Sequence, residues 1–169
     1  MNTYATGNFA QLPPKERMRY SGQDSEEAAE RYFASNKYQY QRFGLCNSSM
    51  KEILQIPMLL RMRPDYICNQ FGVNNFYVEV KACGNQGLKI KLESIKALWQ
   101  WKQTMPVMIF IHHGVTKQFA FIAFGKLVEL SMGLKVFTWD DGKEYYRIEC
   151  SALNWQTPLP IIPTEVYGY

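Results

Sequence analysis

The sequence predicts a mixed α/β domain, with helices packed on a central sheet, on three observations. Its 169 residues are 47% hydrophobic and 15% aromatic, enough for one sizeable core. Its apolar period switches along the chain between helical spacing and strand alternation. The run PVMIFIHH is short, continuous and apolar, as expected of a strand buried on both faces.

In chain order, residues 1–20 mix Pro, Gly, Asn and charge without a period and read as an N-terminal tail. SGQDSEEAAERYFASN then reads as a helix. Asp24 or Ser25 caps it, Glu26 and Glu27 sit in its first turn, and it ends near Asn36. Glu26, Ala29, Glu30 and Phe33 share one face of it. KYQYQRFGL alternates aromatic and polar residues, as a strand or an extended arm does. NSSMKEILQIPMLL holds a short helix or a loop that breaks before Pro57. RMRPDYICNQFG and NNFYVEVKAC read as neighbouring strands joined by a turn around Asn69 to Asn75.

Beyond Gly84 and Gly87, LKIKLESIKALWQWKQTM reads as an amphipathic helix with Leu92, Ile95, Leu98 and Trp99 on its apolar stripe. This puts Trp99 in the core and leaves Trp101 either to stack on a base or to pack under a loop. PVMIFIHH and QFAFIAF are strands around the turn HGVTK, and GKLVELSM makes one or two helical turns. LKVFTWDDGKEYYRIEC reads as a hairpin turning at Asp140, Asp141 and Gly142. Residues 156–169, rich in proline, read as an extended C-terminal tail, so the chain is one domain over 1–169.

Composition narrows the functional classes. Nineteen basic against fifteen acidic residues leave a net charge of +4, which permits nucleic-acid binding without indicating it. No stretch of eighteen apolar residues exists and the N-terminus has no signal-type apolar run. The expectation is therefore a soluble, cytoplasmic protein without a membrane partner. Cys46, Cys68, Cys83 and Cys150 form no CxxC pair, so they read as reduced thiols rather than a zinc ribbon. Walker-type glycine loops and a recognisable Ser-His-Asp pattern are missing.

The informative stretch is Arg63-Pro64-Asp65, followed fourteen residues later by Glu79-Val80-Lys81. On a strand, Phe76, Val78 and Val80 point to one face while Tyr77, Glu79 and Lys81 point to the other. Either the Glu-x-Lys face is solvated or its charges form a site. If the two strands pair as a hairpin, the Asp65 carboxylate approaches that of Glu79. Two such carboxylates suit Mg²⁺ or Mn²⁺, which takes oxygen ligands from one or two acids and a substrate phosphate. The Val80 carbonyl is a third candidate ligand. Lys81 beside a phosphate would orient the attacking water and stabilise charge growing on the phosphoryl oxygens.

These residues resemble the motif of the PD-(D/E)XK nuclease superfamily, which includes restriction endonucleases and Holliday-junction resolvases. The resemblance covers roughly residues 22 to 112. It implies a restriction-endonuclease-like αβββαβ core with extra C-terminal strands. It also implies Mg²⁺- or Mn²⁺-dependent hydrolysis of DNA, leaving a 5′-phosphate and a 3′-hydroxyl. The superfamily often adds a glutamate on the first helix. Glu26 takes that slot here, with Glu27 and Glu30 as weaker choices. A basic or amide residue around the helix after the Glu-x-Lys strand points to Lys89, Lys91 and Gln100, and Arg61 and Arg63 are placed to contact phosphates. The substrate would be duplex, branched or single-stranded DNA, cut in a structure-selective or nonspecific way. A phage, recombination or repair setting fits, and a homodimer is open.

Other readings stay open at this point. The chain could be a DNA-binding module of the same fold without turnover, or an unrelated α/β interaction domain. Tyr38, Tyr40 and Phe43, interleaved with Lys37, Gln39, Gln41 and Arg42, suit single-stranded nucleic acid or equally an edge strand with one face buried. His112 and His113, adjacent on a strand, face opposite ways and read as a polar strand end.

Overall fold

The computed structural model describes residues 14–44, 56–70 and 75–157. Its first helix, α1 (Pro14–Ser35), begins well before the expected start at Asp24 or Ser25, which lie inside it. The physical reason is local. Proline suits the first helical position, where its missing N–H would be an orphan anyway. The residues after it, Lys15, Glu16, Arg17 and Met18, are good helix formers, so nothing halts the helix before Asp24. Residues 14–20 of the expected tail are therefore helical, and residues 1–13 lie outside the described part. Ser25, Ala28, Ala29 and Phe33 are the buried stripe of α1.

Strand β1 (Gln39–Arg42) follows. The helix or loop expected before Pro57 falls mostly outside the described residues. A short helix, α2 (Met58–Arg61), starts immediately after that proline. Then come β2 (Tyr66–Asn69) and β3 (Phe76–Cys83), as expected. The segment after Gly87 divides. Leu88–Lys91 is strand β4, and only Leu92–Trp101 is helix α3. The expected single helix is corrected here, because Leu88 and Ile90 alternate with Lys89 and Lys91 at strand period. Gly87 takes φ +95°, and a Cβ there would collide with the Ile148 carbonyl, so the turn into β4 requires glycine. The remainder is β5 (Val107–His113), β6 (Phe119–Ala123), α4 (Phe124–Ser131), the hairpin β7 (Val136–Thr138) and β8 (Glu144–Ile148), and a 3-10 turn at Cys150–Ala152.

The main sheet has the order β1-β2-β3-β5-β6. Among the described residues its one parallel pair is β3 with β5, and α3 lies on the connection between them. The element order α, β, β, β, α, β expected for the core is present, with the short α2 inserted after its first strand and β4 inserted before α3. A second sheet of order β4-β8-β7 supplies the extra strands. Both faces of the main sheet are covered. On one, Phe33, Ala28 and Ala29 of α1 meet Val78, Val80 and Phe110. On the other, Tyr77, Ile109 and Ile111 meet Leu98 of α3, Phe124 and Leu127 of α4, and Leu88, Ile90 and Ile148 of the second sheet. Each large side chain buried this way contributes about 1.5–3 kcal/mol.

The two tryptophans of α3 exchange their expected places. Trp99 is 48% exposed. Trp101 packs edge-on against Phe43 and Tyr77, each with ring centroids 5.4 Å away. The helix phase set by Leu98 carries Trp101, one turn on, to the same buried side. Among the described residues no helix is long and apolar enough to cross a membrane.

Candidate active site

The antiparallel register pairs Tyr66 with Val78. One residue further along, Asp65 stands opposite Glu79, and residues opposite each other share a face. Tyr66 and Val78 belong to the core beneath α1. Asp65 and Glu79 therefore turn to the other face, the one Tyr77 occupies beside α3. Where the β2 ladder ends, the Asp65 carboxylate takes over: its Oδ2 accepts the Val80 N–H at 2.7 Å. The Asp65 carbonyl accepts the N–H groups of Phe43 at 2.8 Å and Gly44 at 3.0 Å. Asp65 is thus held from the β1 end and from β3 at once, with its carbonyl already satisfied.

Glu79 and Lys81 lie two apart on β3 and so share a face. Lys81 Nζ donates to Glu79 Oε1, as an ion pair. The Glu79 residue is only 8% exposed, and the Lys81 side chain is 24% exposed. Burial, and then the nearby Glu79 charge, push the Asp65 carboxyl up to about 7, against the pull of Lys81, the Val80 N–H and Arg42. Burial works against the Lys81 ammonium, but the Glu79 and Asp65 charges prevail and hold its pKa above the usual lysine value. An Asp65 carboxyl whose ionisation burial and the Glu79 charge oppose, with one ammonium beside the pair, is a site that a divalent cation would relieve.

Val80 also takes part through its backbone. In a strand a residue's N–H and C=O turn to the same edge. Since the Val80 N–H meets Asp65, its carbonyl turns to that edge as well. Two carboxylate oxygens and a carbonyl oxygen are a hard donor set of the kind Mg²⁺ or Mn²⁺ takes. Among the described residues no cluster of three or more His, Cys, Asp or Glu assembles, so the acids here number two.

Glu26 lies on the α1 side of the sheet. Its Oε2 is 2.8 Å from Arg42 Nη1, and its described contacts are with Arg42 rather than with Asp65 or Glu79. Arg63 lies over the Phe43 ring at 5.2 Å, and the Nε atoms of Arg61 and Arg63 are buried without a hydrogen-bond partner among the described residues. Lys89 and Lys91 sit on β4, in the second sheet, not on the helix where the sequence puts them. Gln100 is exposed on α3.

The sequence reading did not single out Arg42 as an organiser. Arg42 donates from Nη2 and Nε to Glu30 at 2.8 and 3.0 Å, and Tyr66 Oη donates to the same Glu30 oxygen at 2.8 Å. The i, i+4 spacing of Glu26 and Glu30 was the available signal, since it sets both acids toward one cation. His112 was read as a strand end, yet it is buried, with Nδ1 3.4 Å from Ser25 Oγ and 3.7 Å from Asp24 Oδ2. His113 instead accepts the Thr116 N–H at 3.2 Å, closing the turn after β5.

No family model matches the chain, and no curated protein matches it in sequence. Among solved structures it resembles Hjc, a Holliday junction resolvase from the archaeal hyperthermophile Archaeoglobus fulgidus. The TM-score is 0.47 at 13% identity, covering 78% of this chain and 90% of that one. It also resembles D212, a nuclease from a fusselovirus. There the TM-score is 0.47 at 9% identity, covering 85% of this chain and 89% of that one.

Proposed function

We propose that the protein is a divalent-metal-dependent nuclease of the PD-(D/E)XK type that hydrolyses DNA phosphodiester bonds, with structure-selective or nonspecific endonuclease action. The observation that carries this reading is the face-to-face placement of Asp65 and Glu79 on neighbouring strands, with Lys81 at the Glu79 carboxylate. Asp65, Glu79 and the Val80 carbonyl would hold Mg²⁺ or Mn²⁺, which when bound supplies Lewis-acid polarisation of the scissile phosphate.

The chain's own groups do the rest. A cation held there would offset the repulsion that the Glu79 charge exerts on the Asp65 carboxyl. Lys81 then exchanges its Glu79 contact for the incoming water and the phosphate, orienting the water and stabilising negative charge on the phosphoryl oxygens. Its raised pKa keeps it an ammonium, which favours this electrostatic role over that of a neutral base. Glu26, expected to join Asp65 and Glu79 from α1, is engaged by Arg42 on the other face of the sheet and takes no part. Arg61 and Arg63, just ahead of Asp65, are donors for backbone phosphates. Lys89, Lys91 and Gln100 extend the DNA contact.

The test is a cleavage panel of duplex, single-stranded, nicked and four-way DNA with Mg²⁺, beside Asp65→Asn and Lys81→Ala. Cleavage should stop with chelator and with Asp65→Asn, and should fall about 10²- to 10³-fold with Lys81→Ala. Cleavage by Lys81→Ala at the wild-type rate would reject the assignment. Binding without cleavage by the wild type would mark a module of this fold that lacks turnover.

A further inference from the structure

The outer face of the second sheet carries a feature that the Asp65–Glu79 site does not use. Register sets Lys89 opposite Arg147, Lys91 opposite Tyr145, and Phe137 opposite Tyr145. These odd-numbered side chains share one face, because Leu88, Ile90 and Ile148 fill the core on the other. On the outer face three rings lie nearly parallel. Trp139 stacks on Tyr145 at 4.1 Å and 22°, and Phe137 stacks on Tyr145 at 5.6 Å and 26°. All three rings are half-buried. No helix described in the structure packs on that face.

Cations surround the rings. Arg147 and Lys135 lie 5.0 and 5.6 Å from the Phe137 centroid, and Lys89 lies 5.7 Å from that of Tyr145. Lys91 adds a fourth positive charge. The opposing acids are Glu93, 3.8 Å from Lys91, Glu149, 3.6 Å from Arg147, and Asp141, which pairs with Lys143 at 2.8 Å and feels the Lys91 charge. The face is therefore net positive with flat rings between the charges. An apolar partner would leave the cations unanswered, and an acidic peptide would leave the rings without work. A polyanion whose flat groups are free to stack answers both. That is an unpaired nucleic-acid strand, whose bases are not already stacked in a duplex.

We infer that the Phe137–Tyr145–Trp139 face of the second sheet binds single-stranded DNA, such as the unpaired arm of a branched substrate. This rests on the nuclease reading above for the choice of DNA. Bases stack on the rings while Lys89, Lys135 and Arg147 take the phosphates.

The experiment uses full-length protein carrying Asp65→Asn, with a fluorescent oligo-dT of about 15 nucleotides in EDTA, read by anisotropy. Tyr145→Ala and Phe137→Ala should each weaken binding about tenfold. Lys135→Glu, a surface change that leaves packing intact, should weaken it and lower the salt dependence. Lys126→Glu, an exposed control on α4, should bind as the parent does. Equal affinity in Tyr145→Ala and Lys135→Glu overturns the inference, as does failure of the parent to bind oligo-dT. Duplex cleavage by wild-type protein in Mg²⁺ is measured alongside. If it occurs while oligo-dT is not bound, the platform fails and the nuclease stands. If oligo-dT binds through the rings and nothing is cut, the platform stands and the nuclease reading fails.

Discussion

Metal binding should announce itself as a stability change whose size depends on pH, and Asp65 sets the dependence. With its carboxyl near 7, Asp65 is largely ionised at pH 8 and largely protonated at pH 6. A cation binds the ionised form, so its apparent affinity should drop about tenfold between those pH values. At a Mn²⁺ concentration about 100 times the pH 8 dissociation constant, the folded state gains about 2.7 kcal/mol. At pH 6 the same concentration gives about 1.4 kcal/mol. For a chain of this size, each kcal/mol moves the melting temperature by about 2–4 °C. The shift should therefore be about 5–11 °C at pH 8 and about half that at pH 6. Without metal the sign is opposite. The unfolded chain releases the Asp65 proton near 3.9 while the folded chain keeps it to about 7. Stability associated with this group is full below the unfolded value and is lost as pH rises to about 7, by at most about 4 kcal/mol. Asp65→Asn keeps an oxygen for the Val80 N–H but removes the charge. It should melt no lower than wild type at pH 8 without metal, and should show no Mn²⁺ shift. Differential scanning fluorimetry with and without Mn²⁺, at both pH values, reads all of this. A full Mn²⁺ shift in Asp65→Asn, or a wild-type shift as large at pH 6 as at pH 8, would refute the reasoning.

Two further expectations concern the scaffold. Burial lowers the His112 pKa, Asp24 opposes that, and Lys117, Arg31 and His113 add to it. A depressed pKa stabilises above the unfolded value, so wild type should lose stability as pH falls below about 6.5. His112→Asn, compared with wild type by urea unfolding at pH 7 and pH 5, should lack that component. Trp101→Ala removes a ring packed between Phe43 and Tyr77 and should cost about 2–4 kcal/mol. Trp99→Ala, at an exposed position, should stay under about 1 kcal/mol in the same urea assay. Equal losses from the two would contradict the packing.

The strand that carries Glu79 and Lys81 was legible because its apolar residues alternate with period two and its neighbour begins at Pro64-Asp65. Both facts are local. The β4–α3 junction was not, because Leu88, Leu92, Ile95 and Trp99 also fall at helical spacing and mask the alternation of Leu88-Lys89-Ile90-Lys91. Only the pairing of β4 with β8, more than fifty residues away, selects the strand. Trp101 was misjudged for the same kind of reason: the ring pocket it enters is made by Phe43 and Tyr77 from other elements. Glu26 was read as turned toward the site, and no local pattern could show that Arg42 would hold it and Glu30. The ring face of the second sheet was invisible because its members come from β4, β7 and β8, brought together only by register.

The choice between a solvated charge pair and a site turns on what burial does to Glu79 and Asp65. A surface pair would keep both acids in water, where such pairs are worth little and disturb nothing. Glu79 is instead 8% exposed, on a strand whose two faces are both packed. A buried ion pair is a poor way to stabilise a sheet, since apolar residues of similar size generally do as well or better. A second, half-buried acid opposite the first makes matters worse, and the Asp65 carboxyl is raised accordingly. The fold thus tolerates two acids and an ammonium at a place where packing alone favours valine or leucine. Perturbed groups gathered at one place in a sheet, against the interest of the core around them, mark a functional site rather than a packing solution.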